Sequence, residues 1–268
     1  MTAIDLSLVI QYLQDRYPLR LAEPWDNVGL LVGNPEQTVE RVMTCLTVTP
    51  QICQEAIEKR ADLIVTHHPF PFHPLKTITT ETVRGRMIWD IITNKIAVYS
   101  PHTAHDSAAD GINQQIAKRL GLQQITTLFD DKNEGSISNE GTGRIGMLPE
   151  TMTFRELIEK TKEVFAQRVV PFIGPLEKEV KTVAVACGTA GAFLGQAKLR
   201  GADVFLVGES KYHVFLEAQF SNISLIVPGH YATERFAMER MAELIQTKFP
   251  DIISWVSSVE NDPVSYAF

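Results

Sequence analysis

Short apolar runs alternate with helical stretches along most of the chain, and this rhythm restricts the fold more than any other feature. Residues 40–48 and 62–66 read as strands, and 95–99 as extended. Residues 5–16, 50–60, 80–93 and 107–120 read as helices, the first with Leu6, Val9, Ile10 and Leu13 at helical spacing. The polar stretch 130–143 breaks the pattern and predicts a linker. After a helix at 153–167, strands recur near 180–186, 203–207 and 223–227, with a long helix at 232–248. Such alternation predicts an α/β fold with a mostly parallel sheet covered by helices.

The two halves also echo one another. "EKRADLIVTHHP" and "KLRGADVFLVGES" share a helix end, an Ala-Asp pair, an apolar strand and a polar turn. "KIAVYSPHTAHD" and "ISLIVPGHYATE" follow in the same order, each with a histidine and then a carboxylate four residues later. The alignment pairs His102 with His230 and Asp106 with Glu234. It predicts two similar α/β lobes related by pseudo-twofold symmetry, with a site between them. The lobes are expected at about 1–128 and about 144–268, joined by a linker at about 129–143.

The 268 residues carry a formal net charge of -7, which argues against nucleic acid as a partner. No apolar run approaches the ~18 residues of a membrane span. The start, "MTAIDLSLVIQYL", has an acidic residue where a signal peptide carries basic ones, so the expected location is cytoplasmic. Cys45, Cys53 and Cys187 show no paired spacing, and no disulfide is expected.

Chemistry concentrates at predicted strand ends, where open α/β sheets bind ligands. There lie the His67–His68 dyad, His102 with Asp106, and His230 with Glu234. Imidazole with carboxylate suits Zn, Fe, Mn or Ni rather than Ca or Mg. Projected back along 232–248, the apolar stripe Ala237, Met238, Met241, Leu244 and Ile245 includes His230 and Glu234, while Arg235 falls off it. A carboxylate on a buried face needs a counter-charge, and a metal ion supplies one. Asp106 reads likewise, in phase with Ala109, Ile112 and Ile116. His105 and His213 are close enough in sequence to touch substrate or to support a ligand, whereas His73 reads as a loop histidine. Lys76 and Lys211 can hold a phosphate, though both fit solvated surface positions. "ACGTAGAFLG" lacks the phosphate-loop patterns and reads as a tight strand-to-helix turn.

The motifs "EPWDNVGLLVG", "THHPFPFHPLKTI", "YSPHTAHDSAADGIN", "GADVFLVGESKYH" and "GHYATERFAMERMAE" fall in order over nearly the whole chain. With them the sequence resembles the Nif-three-like family of dinuclear metal-centre proteins, homologues of type 2 GTP cyclohydrolase I, in its short form without the inserted domain. The resemblance implies two similar lobes assembled as a homohexameric toroid, with two divalent ions per chain. His68 and Asp106 would hold one ion, His67 and His230 the other, and Glu234 would bridge both. His102 matches a histidine at the edge of the ligand set, and Glu209 and His213 match cleft positions. His105 stands where the family places an apolar residue, which leaves the metal's identity open. Two functions then compete: a metal-dependent hydrolase of a small, nucleotide-like substrate, or a non-catalytic metal-handling or regulatory scaffold.

Overall fold

Continuous apolar runs form the strands at the centre of each sheet, because a strand covered on both faces needs apolar side chains on both. In a computed structural model of the chain, residues 4–129 and 139–267 are described. They fall into two units. One comprises Met1–His105 with Arg235–Phe268, and the other is Asp106–Glu234. This division does not follow chain order as the expected lobes do.

The first unit holds a five-stranded sheet in the order Ile253–Val256, Arg41–Cys45, Leu63–Thr66, Ala97–Ser100 and Gly29–Val32. The first four strands are parallel, and Gly29–Val32 adds an antiparallel edge. Leu63–Thr66 and Ala97–Ser100 are buried throughout. The helices Pro50–Glu58 and Val83–Thr93 connect the parallel strands. Thr49 and Thr82 cap them, accepting hydrogen bonds from Ile52 N at 3.3 Å and Gly85 N at 3.0 Å. Pro50 sits in the first helical turn, where a missing N–H costs nothing.

The second unit corrects the mostly parallel expectation. Its six strands run Gln123–Phe129, Thr142–Thr153, Glu179–Ala186, Val204–Val207, Ser224–Ile226 and Phe172–Ile173. Only Glu179–Ala186, Val204–Val207 and Ser224–Ile226 pair in parallel; the other pairings are antiparallel. The two long flanking strands, Gln123–Phe129 and Thr142–Thr153, lie almost entirely in stretches to which the sequence pattern assigns no element. Of the expected linker, Phe129 ends one strand and Thr142 begins the next, while 130–138 lies outside the described residues.

The echo is visible in the hydrogen bonding of each unit. Asp62 Oδ2 accepts from Glu40 N and Arg41 N, both at 2.9 Å, at the start of the neighbouring strand. Asp203 Oδ2 accepts from Lys181 N and Thr182 N, also at 2.9 Å. The repeated Ala-Asp therefore marks one device used twice. It aligns two parallel strands by satisfying N–H groups at their entry.

Two predicted helices are each broken. The expected 232–248 helix is His230–Glu234 followed by Ala237–Lys248, with a turn at Arg235 and Phe236. The expected 107–120 helix is His102–Ser107 and then Ile112–Arg119. A helical phase cannot be carried across such breaks, and Ala109 is exposed accordingly. The three cysteines are free and buried, and no described helix is long and apolar enough to cross a membrane.

Candidate metal centre

The dyad at the end of Leu63–Thr66 is held by its own backbone. His67 N and His68 N donate to Cys45 O and Leu46 O at 3.0 and 2.8 Å. Thr66 Oγ1 donates to His68 O, and Ser100 Oγ to His67 O at 2.6 Å. His67 is buried and His68 partly so, with ring centroids 5.1 Å apart. His102 completes a group, since ligand-capable atoms of His67, His68 and His102 lie within 4.8 Å of one another. His105 is fully buried with its ring 4.2 Å from that of Tyr17, and 5.9 Å from that of His67.

Two of these rings are oriented from behind. His102 Nδ1 donates to Asp26 Oδ1 at 2.7 Å, so Nε2 lies on the side of the ring away from that bond. Thr103 N and Oγ1 donate to Asp26 Oδ2 at 3.1 and 2.5 Å. Burial pushes the Asp26 carboxyl up, but the bonds from His102 and Thr103 outweigh it and hold it below its usual value. His102 has φ +28, a strained backbone for a non-glycine residue of the kind that clusters at functional sites. His68 Nδ1 lies 2.6 Å from Thr47 Oγ1. Leu46 N and Thr47 N donate to Glu260 at 3.0 and 2.8 Å, and Glu260 pairs with Arg235 at 2.6 Å. Asp26, Thr47 and Glu260 are absent from the sequence-predicted site. Only Asp26 left a signal, as the acid of "EPWDNVG".

In the second unit, His230 and Glu234 meet one helical turn apart, with His230 Nε2 2.9 Å from Glu234 Oε2. His230 Nδ1 lies 3.2 Å from Glu209, which also accepts a short hydrogen bond from Thr189 Oγ1. Burial opposes the charged imidazole, yet Glu234 and then Glu209 lift His230 to about 9. The bond from Thr189 exceeds the effect of burial, and with His230 it lowers the Glu209 carboxyl. His230 is thus the imidazole that faces the Glu234 carboxylate. Gly188, with φ +61, makes room for this carboxylate. A Cβ there would stand 2.3 Å from Glu234 Oε1, so the glycine turn of "ACGTAG" is shaped around the acid.

Asp106 is anchored in the same unit. Its Oδ1 accepts from Cys187 Sγ at 3.2 Å. Burial, and then the charges of Asp106 and Glu234, push that thiol up and keep it a neutral donor. Asn113 links the two residues, donating to Asp106 O at 3.1 Å and accepting from Cys187 N at 2.8 Å. The fully buried Arg144 holds the following segment. It donates to Ala108 O at 2.6 Å, to Gly141 O and Gly143 O at 2.7 Å, to Asn139 O and to Gln114 Oε1. His213 lies exposed at the start of the helix Tyr212–Phe220, and Lys76 and His73 are exposed in the proline-rich loop. Lys211 is exposed as well, just before the same helix.

The family model described as Duf34/NIF3 (NGG1p interacting factor 3) matches residues 4–263. A "GTP cyclohydrolase 1 type 2 homolog" of Clostridium acetobutylicum is 38% identical over 222 residues, 83% of this chain and 82% of the relative. The "Protein NIF3 homolog" of Schizosaccharomyces pombe is 32% identical over 262 residues, 93% of both chains. The crystal structure of a Bacillus cereus protein related to NIF3 superposes with a TM-score of 0.89 over all of both chains, at 24% identity, which supports the fold.

Proposed function

The chain belongs to the Duf34/NIF3 family, and on that premise we propose that it holds two divalent ions and hydrolyses a small, nucleotide-like substrate. The proposed ligands are His67, His68, Asp106, His230 and Glu234, with Glu234 shared by both ions and His102 beside them. The observation that carries this reading is the three-histidine group, with His102 backed by a carboxylate and His68 by a hydroxyl. That is how proteins orient imidazoles toward a metal. The mixed imidazole and carboxylate donors fit Zn, Fe, Mn or Ni. The Gly188 turn fits too, because it leaves the Glu234 carboxylate the space that a side chain would take.

When bound, such ions supply Lewis acidity and activate water at neutral pH. The chain's own residues do the remaining work. Glu209, about half exposed and paired to Thr189 and His230, is ionised at neutral pH and positioned to accept a proton. His213 and Lys76, both exposed, are assigned to substrate contact. The curated names of the bacterial relatives point to GTP as the first substrate to try. The homohexameric toroid, pseudo-twofold symmetry of the whole lobes and a cytoplasmic location belong to the same reading. The paired Asp62 and Asp203 devices support the symmetry locally.

The test is metal content by elemental analysis of protein purified without chelators, with turnover of GTP and a phosphoester panel. Two ions per chain are expected, fewer in Glu234→Gln, and only one lost in Asp106→Asn. Unchanged content in Glu234→Gln would sink the bridging role. Full metal loading without turnover of any substrate would favour the metal-handling alternative.

A further inference from the structure

Large aromatic side chains normally seek burial, so one held rigidly in water asks for a reason. Trp25 is 64% exposed, although the segment around it is firmly tied. Glu23 N donates to Thr103 Oγ1 at 2.9 Å, and Asp26 N to Glu23 O at 3.0 Å. Asp26 receives the bonds from Thr103 and His102 described above. Asn27 Nδ2 donates to Pro71 O at 2.8 Å, which fastens the Trp25 segment to the loop carrying Phe72. Phe72 is itself 40% exposed. The residues on either side of Trp25 are thus fixed while its ring faces solvent.

The two rings stand together beside the histidines. Their centroids are 6.3 Å apart at 46°. Each lies 6.1 Å from the His102 ring and nearly edge-on to it, at 75° for Trp25 and 81° for Phe72. A flat conjugated ring laid on Trp25 would spread its aromatic face over indole and bring its polar edge toward His102. A fused two-ring heterocycle has the size to span that 6 Å step. A flexible aliphatic chain would gain no stacking there.

We propose that Trp25, with Phe72 at its side, is a stacking platform that selects a flat, fused heteroaromatic ring and sets it beside His102. This rests on the proposed function, since it assigns the ring-binding part of that same substrate, and it names residues to which no role has been given above. Trp25 and Phe72 are specificity-determining residues; they move no proton.

The probes are guanosine, which has the ring without a phosphate, and ribose 5-phosphate, which has the phosphate without the ring. Each is titrated calorimetrically into metal-loaded protein, with metal content and mass by light scattering measured in parallel. Trp25→Ala should weaken guanosine at least tenfold. Trp25→Phe should restore most of the loss, and Phe72→Ala should cost less. Ribose 5-phosphate behaviour, metal content and oligomeric mass should match the wild type. Equal guanosine affinity in Trp25→Ala overturns the proposal, as does a wild type that gives no saturable guanosine binding. A change of oligomeric mass in Trp25→Ala also overturns it, because the rings would then be covered by a second copy. Guanosine binding that depends on Trp25, in a protein that turns nothing over, sinks the hydrolase and leaves the platform standing.

Discussion

His102 and His230 open two helices with the same His-x3-carboxylate spacing, yet they are held in different ways. His230 meets its own Glu234 one turn on, with Glu209 from another loop on its opposite nitrogen. His102 instead bonds Asp26, 76 residues earlier, while Asp106 is held by a thiol and by the segment that Arg144 fixes. One sequence pattern thus gives a self-contained pair in the second unit, whereas His102 of the first unit and Asp106 of the second are each held by other residues. Spacing puts both residues on the same helix; what each side chain touches is decided by residues far away in the chain.

The sharpest way to break this comparison is at Arg144. Arg144→Met leaves at least four carbonyls without their donor and should cost about 3 kcal/mol or more in urea unfolding, since one unsatisfied buried acceptor costs about 1–3 kcal/mol. Amide exchange should rise around Ser107–Asn113 and stay slow in Leu63–Thr66. Equal loosening of both segments would mean that Arg144 does not serve the second unit in particular. Next comes Asp26. Asp26→Asn should lower metal affinity, by roughly 10- to 100-fold where the proposed centre takes His102 as a ligand. Glu209→Gln should cost less, because Glu209 is half exposed and His230 keeps Glu234. Equal losses by competition titration would erase the distinction between the two histidines.

The smallest effect concerns Glu55. Burial pushes its carboxyl up, but Lys59, Ser257 and Ser258 together hold it at about 2, against an ordinary 4.5. A depressed folded value means that this stability is complete above about pH 4.5 and is lost as the pH falls toward 2. Glu55→Gln should therefore lose on the order of 1–2 kcal/mol at pH 7 and show a flatter urea midpoint between pH 4.5 and 3. An unchanged acid profile would remove Glu55 as the clamp on the C-terminal segment.

The legible parts of the sequence were local. Apolar runs such as "DLIV" and "DVFLV" declare buried strands because both faces are covered, and the paired Ala-Asp entries declare the echo. The histidine dyad was legible because a polar pair ending an apolar strand has few other uses. The long strands Gln123–Phe129 and Thr142–Thr153 were not, since polar residues and glycine are allowed in antiparallel strands with exposed positions. The break at Arg235–Phe236 was hidden for a related reason, whereas at Ala108–Gly111 the Asp110-Gly111 dipeptide was a turn signal that the apolar spacing overrode. Good helix formers on both sides mask a turn that tertiary contacts impose, here the Arg235 pairing with Glu260. Asp26, Thr47 and Glu260 escaped because their partners are 76, 21 and more than 200 residues away.

The strand Ile253–Val256 has a consequence for the order in which the chain can mature. It pairs in parallel with Arg41–Cys45, across more than 200 residues. Asp106–Glu234 emerges from the ribosome ahead of that strand, so the second unit can begin to close while the first still presents an open sheet edge. Until the last strand docks, Arg41–Cys45 offers unpaired amides and carbonyls beside apolar side chains, the template on which chains misassociate. The late arrival of Ile253–Val256 therefore lengthens the time for which that edge stands open in the nascent chain.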